Sequence, residues 1–168
     1  MIDDARKALR ERVVAIVGTE APIARFDEAL THPSFSNETG APHNQRLEFV
    51  GDSVLGLCTS ELLAARFPDA DEGSLTRMRS ALVNATALAR FAKKIDLGPA
   101  LALGRGARTS GEREGLNVLA DAVEALVAAV YEALGIDAAR KLTAAIVEDP
   151  LDELGREPTL DAKSALQE

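Results

Sequence analysis

Two pairs of carboxylates set inside the most apolar stretches of this chain constrain its fold more than any other feature. Glu48 and Asp52 lie four residues apart in HNQRLEFVGDSVLGL (43–57), where Leu47, Val50, Val54, Leu55 and Cys58 recur at helical spacing. Both acids therefore share one face of a predicted helix. Asp121 and Glu124 lie three apart in GLNVLADAVEALVAAVY (115–131), again among Leu, Ala and Val, and again on one face. An ionised carboxylate on an apolar face is costly unless a cation or hydrogen-bond donors compensate it, and no Lys or Arg lies within a turn of Asp52. Packed together, the two helices would make four carboxylates converge, a cluster that repels itself unless divalent cations neutralise it. An oxygen-only ligand set suits Mg²⁺ or Mn²⁺ rather than zinc, and such ions serve in-line attack of water on a phosphodiester or phosphoanhydride. Taken singly, either pair has a plainer explanation in helix capping, surface pairing or one partly buried acid. Gly51 and Gly56 sit inside the first helix, where each costs roughly 0.8–1.0 kcal/mol relative to Ala, so close helix packing is expected at this point.

The same residues carry a family resemblance. QRLEFVGDSVLGL resembles the signature helix of the ribonuclease III family, and LADAVEALVAAVY resembles that family's second acidic helix. ALTHPSF (29–35) and FPDADEGSLTRMRSALVN (67–84) resemble it as well, and the likeness covers nearly the whole chain. It implies an all-α helical bundle that dimerises with a second copy through the signature helix. The implied activity is Mg²⁺-dependent endonucleolytic cleavage of double-stranded RNA, with Mn²⁺ as a substitute ion. Products would carry 5′-phosphate and 3′-hydroxyl ends with short 3′ overhangs, in RNA processing such as ribosomal RNA precursor maturation. By resemblance, Glu48, Asp52, Asp121 and Glu124 are the metal ligands, with Asp52 and Glu124 also catalytic. Glu72, Gln45 and Asn117 are supporting residues; on its position alone Glu72 reads as a helix N-terminal charge, and Asn117, just before the second acid pair, reads as holding those acids by hydrogen bonds. Phe49 is the candidate for the dimer seam, its alternative being an ordinary core Phe. Three positions depart from the family pattern: Gln45 stands where many members have Glu, Ala107 where an acid is common, and Asn117 where Ser is usual. These bear on substrate positioning and rate more than on the chemistry.

A formal charge of −8 sits awkwardly with an RNA-binding surface, since phosphate contacts come from positive groups. The distribution eases this, because residues 148–168 hold seven acids against two bases. Bound cations would reverse the local sign at the four acids. The expected division is a nuclease domain over 1–147 and an acidic linker over 148–168, whose end, DAKSALQE, resembles the start of a double-stranded RNA-binding domain. Without that second domain, RNA shape would be read weakly and with a steep salt dependence. Cys58 is the only cysteine, which excludes an internal disulfide and suggests a packed core thiol in a reducing compartment. No run is long and apolar enough to span a membrane, so a cytoplasmic protein is expected.

Along the chain, helices are expected over residues 2–17, stopped by Gly18, and over 23–30. His32 reads as a ligand or, more plainly, as a histidine fixing a loop by hydrogen bonds. Residues 34–45 read as a polar loop. Ser74 is the expected cap of a helix carrying Leu75, Met78, Leu82 and Val83, with Arg77 and Arg79 binding phosphate or pairing with surface acids. A further helix covers 85–94, residues 104–115 read as a mobile Gly- and Arg-rich loop, and a last helix over 137–147 ends before Pro150. Two other functions fit acid pairs at this spacing. An all-helical nucleotide pyrophosphohydrolase would hydrolyse nucleoside triphosphates without RNA. A non-catalytic RNA-binding relative would be expected to have lost acids from the cluster.

Overall fold

In the computed structural model, residues 1–156 are described, and nine α-helices follow one another among them. They are α1 (Ile2–Val17), α2 (Phe26–Ala29), α3 (Pro33–Thr39), α4 (Gln45–Arg66), α5 (Glu72–Leu82), α6 (Ala85–Lys94), α7 (Arg105–Thr109), α8 (Leu116–Leu134) and α9 (Ile136–Arg156). Helix α8 is the centre. From Leu119 to Val130 all but two of its residues, Asp121 and Glu124, are buried, and a helix apolar all round has to be surrounded. α4, α6 and α9 pack against it, with α2 at one end. α1 contributes Leu9, Val13 and Val17 and stops at Gly18, whose φ of 76° is the left-handed cap expected there. Cys58 is buried as a free thiol on the core side of α4.

Extended pairing among the described residues is confined to one bridge, Thr31 with Ala102. The amide of His32 donates to Ala102 O at 3.0 Å, and that of Ala102 donates to Leu30 O at 2.8 Å. The amide of Asn44 donates to Thr31 O at 2.9 Å. This one strap ties the start of α3 to the start of α4 and to the segment that leads into α8.

Several local expectations are corrected. Residues 34–45 are not all loop, because Pro33–Thr39 form α3, with His32 as its cap and Pro at its first turn. A proline there is preorganised for a helix start. The helix expected over 23–30 shrinks to Phe26–Ala29. Asp71, not Ser74, caps α5: its Oδ1 accepts from the Ser74 amide at 2.7 Å. Segment 104–115 contains α7 and a short 3₁₀ turn at Glu112–Glu114, with Ala107 buried and Arg113 donating to Gly98 O at 2.7 Å. It is an anchored element rather than a free loop.

Helix α9 does not stop before Pro150 but continues to Arg156. An interior proline costs about 3 kcal/mol. Here Leu151 and Leu154 pack against the core, and Arg90–Glu153 and Lys94–Asp149 ion pairs tie the extension to α6. Residues 148–156, expected to open a linker, are therefore helical. Residues 157–168, with the stretch resembling an RNA-binding module, lie outside the described residues. No helix among those described is long and apolar enough to cross a membrane.

Candidate metal centre

The site is built where α4 crosses α8, and Gly51 sets the distance between them. A Cβ on Gly51 would lie 1.8 Å from the carbonyl oxygen of Glu124 and 2.5 Å from its carbonyl carbon. Only a residue without a side chain lets the two backbones touch there. Gly56, expected to share this role, does not: a Cβ at that position would meet nothing within 4 Å. Among the described residues, nothing packs on the face of α4 at this position.

The contact at Gly51 brings both acid pairs to one crossing. Glu48, Asp121 and Glu124 each offer a carboxylate oxygen within 4.8 Å of the other two, and all three are partly buried. Asp52, a turn beyond Glu48, is exposed and lies outside this tight group, but its charge acts on both Glu48 and Glu124. The fourfold convergence expected from spacing thus resolves into three clustered acids and one at the rim.

Electrostatics mark the cluster as strained. Burial, and then the charges of Asp52, Asp121 and Glu48, push Glu124 from 4.5 to about 7. Burial is the largest cause of the rise at Glu48 as well, followed by Asp121 and Asp52. Asp121 is also raised by burial, with the His32 ring opposing it. No Lys or Arg among the described residues pairs with any of the four acids. Crowded, half-buried carboxylates without basic partners make an oxygen donor set fitted to a hard divalent cation such as Mg²⁺ or Mn²⁺.

The supporting residues fall elsewhere. Glu72 is exposed in the first turn of α5, accepts from Thr76 Oγ1 at 2.9 Å, and faces the far part of α4 around Ser60 and Leu63. The fold does not bring it to the cluster within one chain. Asn117 is exposed in the first turn of α8, and no hydrogen bond among the described residues joins it to the acids. Gln45 begins α4, its amide donating to His43 Nδ1 at 3.4 Å, beside a groove also lined by Arg25, Arg46, Phe49 and Glu132. Phe49 is 78% exposed, so the core alternative fails. Leu57, 53% exposed, extends that apolar surface along α4. Arg79 donates to Ser60 Oγ and Arg77 to Ser74 Oγ, and, after the hydrogen bonds from Ser74, the Arg77 charge helps to lower the exposed Asp71 carboxyl. The nearness of His32 to Asp121 was not legible from sequence, since some ninety residues separate them.

Fold and site together define an all-α domain with a carboxylate centre on two crossing helices. A family model described as Ribonuclease-III-like matches residues 24–150, and the chain belongs to the ribonuclease III family. Ribonuclease 3 of Myxococcus xanthus is 50% identical over 145 residues, which make up 84% of this chain and 56% of that protein. Ribonuclease 3 of Heliobacterium modesticaldum is 45% identical over 149 residues, covering 87% of this chain and 63% of its own length. The chain thus spans 56–63% of these two curated relatives. A solved nuclease domain of ribonuclease III from Campylobacter jejuni superposes with a TM-score of 0.74 at 28% identity, over 86% of this chain and 97% of that one.

Proposed function

We propose that this domain is an endonuclease for double-stranded RNA that works with Mg²⁺, or Mn²⁺ in its place, as a homodimer. The observation that carries the reading is the convergence of Glu48, Asp121 and Glu124 within 4.8 Å of one another, with no Lys or Arg paired to them among the described residues. Glu48, Asp121 and Glu124 would hold the cation, and Asp52 at the rim would complete its ligands. A divalent cation at this position supplies Lewis acidity that activates water and stabilises the departing 3′ oxygen. The chain's own part is to fix the oxygens in place: α4 presents Glu48 and Asp52, α8 presents Asp121 and Glu124, and Gly51 holds the two helices in register. Water adds at phosphorus as the bond to the 3′ oxygen breaks, leaving 5′-phosphate and 3′-hydroxyl ends.

Exposed Phe49 and Leu57, with the unfilled space beside Gly56, support a dimer seam along α4. The Campylobacter jejuni nuclease domain is described as having a region involved in dimer formation. Two centres facing one duplex would make staggered cuts with short 3′ overhangs. A cytoplasmic role in RNA processing, including ribosomal RNA precursor maturation, belongs to this reading. So does a catalytic unit that extends beyond residue 147 through α9 to Arg156.

The test is cleavage of an end-labelled RNA duplex at low salt, with Mg²⁺ and then with Ca²⁺, by the native chain and by Glu124→Gln. Staggered Mg²⁺-dependent cuts with 5′-phosphate ends are expected, and roughly 100-fold or greater loss in Glu124→Gln with its circular dichroism unchanged. Binding without cutting would move the assignment to an RNA-binding domain. Hydrolysis of nucleoside triphosphates in place of RNA would move it to a pyrophosphohydrolase.

A further inference from the structure

Pro150 divides α9 into two unlike parts. Before it, Ala138, Ala139, Leu142, Thr143, Ile146 and Val147 are buried, so the first part of the helix is core. After it, no residue from Leu151 to Gly155 is fully buried, and only Leu151 and Leu154 pack, partly buried, against the core. The backbone is weak at both ends of this second part. Pro150 has no N–H to give Ile146 O, and its ring crowds that carbonyl. Gly155 is a poor helix former in open space, with nothing within 4 Å of a Cβ built there.

Charge holds this part down. α6 presents Arg90, Lys93 and Lys94 at i, i+3 and i+4, on one face. Arg90 Nη1 donates to Glu153 Oε2 at 3.0 Å and Lys94 Nζ to Asp149 Oδ2 at 3.0 Å, with Glu148 4.0 Å from the same amine. The paired side chains are 41–66% exposed, so each pair is weak and screened by salt. A helical segment with few buried apolar contacts, a proline at its root and exposed ion pairs lies at the low end of local stability. We propose that α9 from Pro150 to Arg156 is an electrostatic latch, hinged at Pro150 and docked on α6 through Arg90 and Lys94. It releases as a unit, independently of the core, when those pairs are screened. The chain runs on from the end of this arm to Glu168. Docked, the arm fixes where that continuation leaves the fold; released, it lets the point of departure swing about Pro150. Neither the metal centre nor the RNA enters this inference.

Hydrogen exchange of the full chain, followed by mass spectrometry on peptides within 138–147 and 151–156, tests the latch without any substitution. Between ~0.02 M and ~0.5 M NaCl, the amides of 151–156 should exchange roughly 3–10-fold faster while those of 138–147 keep their rate. Arg90→Gln combined with Lys94→Gln should reproduce the fast exchange at low salt and abolish the salt response. Pro150→Ala supplies the missing N–H and relieves the crowding at Ile146 O, so it should slow 151–156 at least about tenfold at high salt. A salt response of equal size in both segments would report the stability of the whole domain, and salt-insensitive exchange at 151–156 would make the arm part of the core. Either result overturns the proposal. So does a Pro150→Ala chain whose 151–156 amides exchange as fast as those of the native chain.

Discussion

Glu124 concentrates the physics of the site in one side chain. It titrates at about 7 in the folded chain, against 4.5 for an ordinary Glu, because burial and three neighbouring acids disfavour its charge. The folded state therefore keeps a proton that the unfolded chain has already released between these values. Stability from this group is full below about 4.5 and is lost as pH rises through about 7. Glu48 and Asp121 shift in the same direction. In the presence of a chelator, the unfolding free energy at pH ~8 should lie below that at pH ~5 by on the order of 1–2 kcal/mol, after a discount for the solvent contact of these groups. Mg²⁺ should raise the melting temperature more at the higher pH, where the cluster is fully charged. A melting temperature independent of both pH and Mg²⁺ would mean that the three acids do not share a field.

At the scale of elements, the crossing of α4 with α8 depends on Gly51. A methyl group there must displace the Glu124 carbonyl, which it would otherwise approach to 1.8 Å. Gly51→Ala should cost about 1–3 kcal/mol, the usual range for overpacking, and lower the melting temperature by roughly 2–12 °C. It should also reduce metal affinity, because Glu124 moves with its backbone. Gly56→Ala, with open space around it, should raise the stability of a single chain by roughly 0.8–1.0 kcal/mol, the helix-propensity difference between the two residues. Calorimetric melting of the two variants side by side checks the contrast.

The elements also explain how far the sequence could be read. The acid pairs and apolar periodicity of 43–58 and 115–131 placed both site helices correctly, because each buried face repeats over several turns. Helix α6 falls on Ala85–Lys94, as expected from its pattern. Short elements escaped: α3 has no fully buried residue and so no apolar stripe to reveal it. Asp71 and Ser74 are both good caps, and only the hydrogen bond between them decides. Pro150 signalled a helix end that burial and ion pairs override. The convergence of Glu48 with Asp121 and Glu124 was legible only as a condition on helix packing, and Gly51 was its one visible sign. The separation of Glu72 and Asn117 from the cluster depends on how elements pack, which no local pattern carries.

For the whole molecule, the unpaired face of α4 is the decisive surface. Phe49 stands 78% exposed on a helix whose opposite side is core, and two copies joined there would hide it. Phe49→Asp should leave the chain folded, since the side chain makes no part of its core, while converting the proposed dimer to monomer in sedimentation velocity. Paired staggered cuts should give way to single nicks, because one centre alone reaches one strand. A variant that remains dimeric would place the seam elsewhere.

The most direct measurement is the anomalous scattering of crystals soaked in Mn²⁺. A peak bounded by carboxylate oxygens of Glu48, Asp121 and Glu124 is the expected result. Full Mn²⁺ occupancy at other sites, with no peak at the crossing of α4 and α8, would mean that these acids do not form a metal centre.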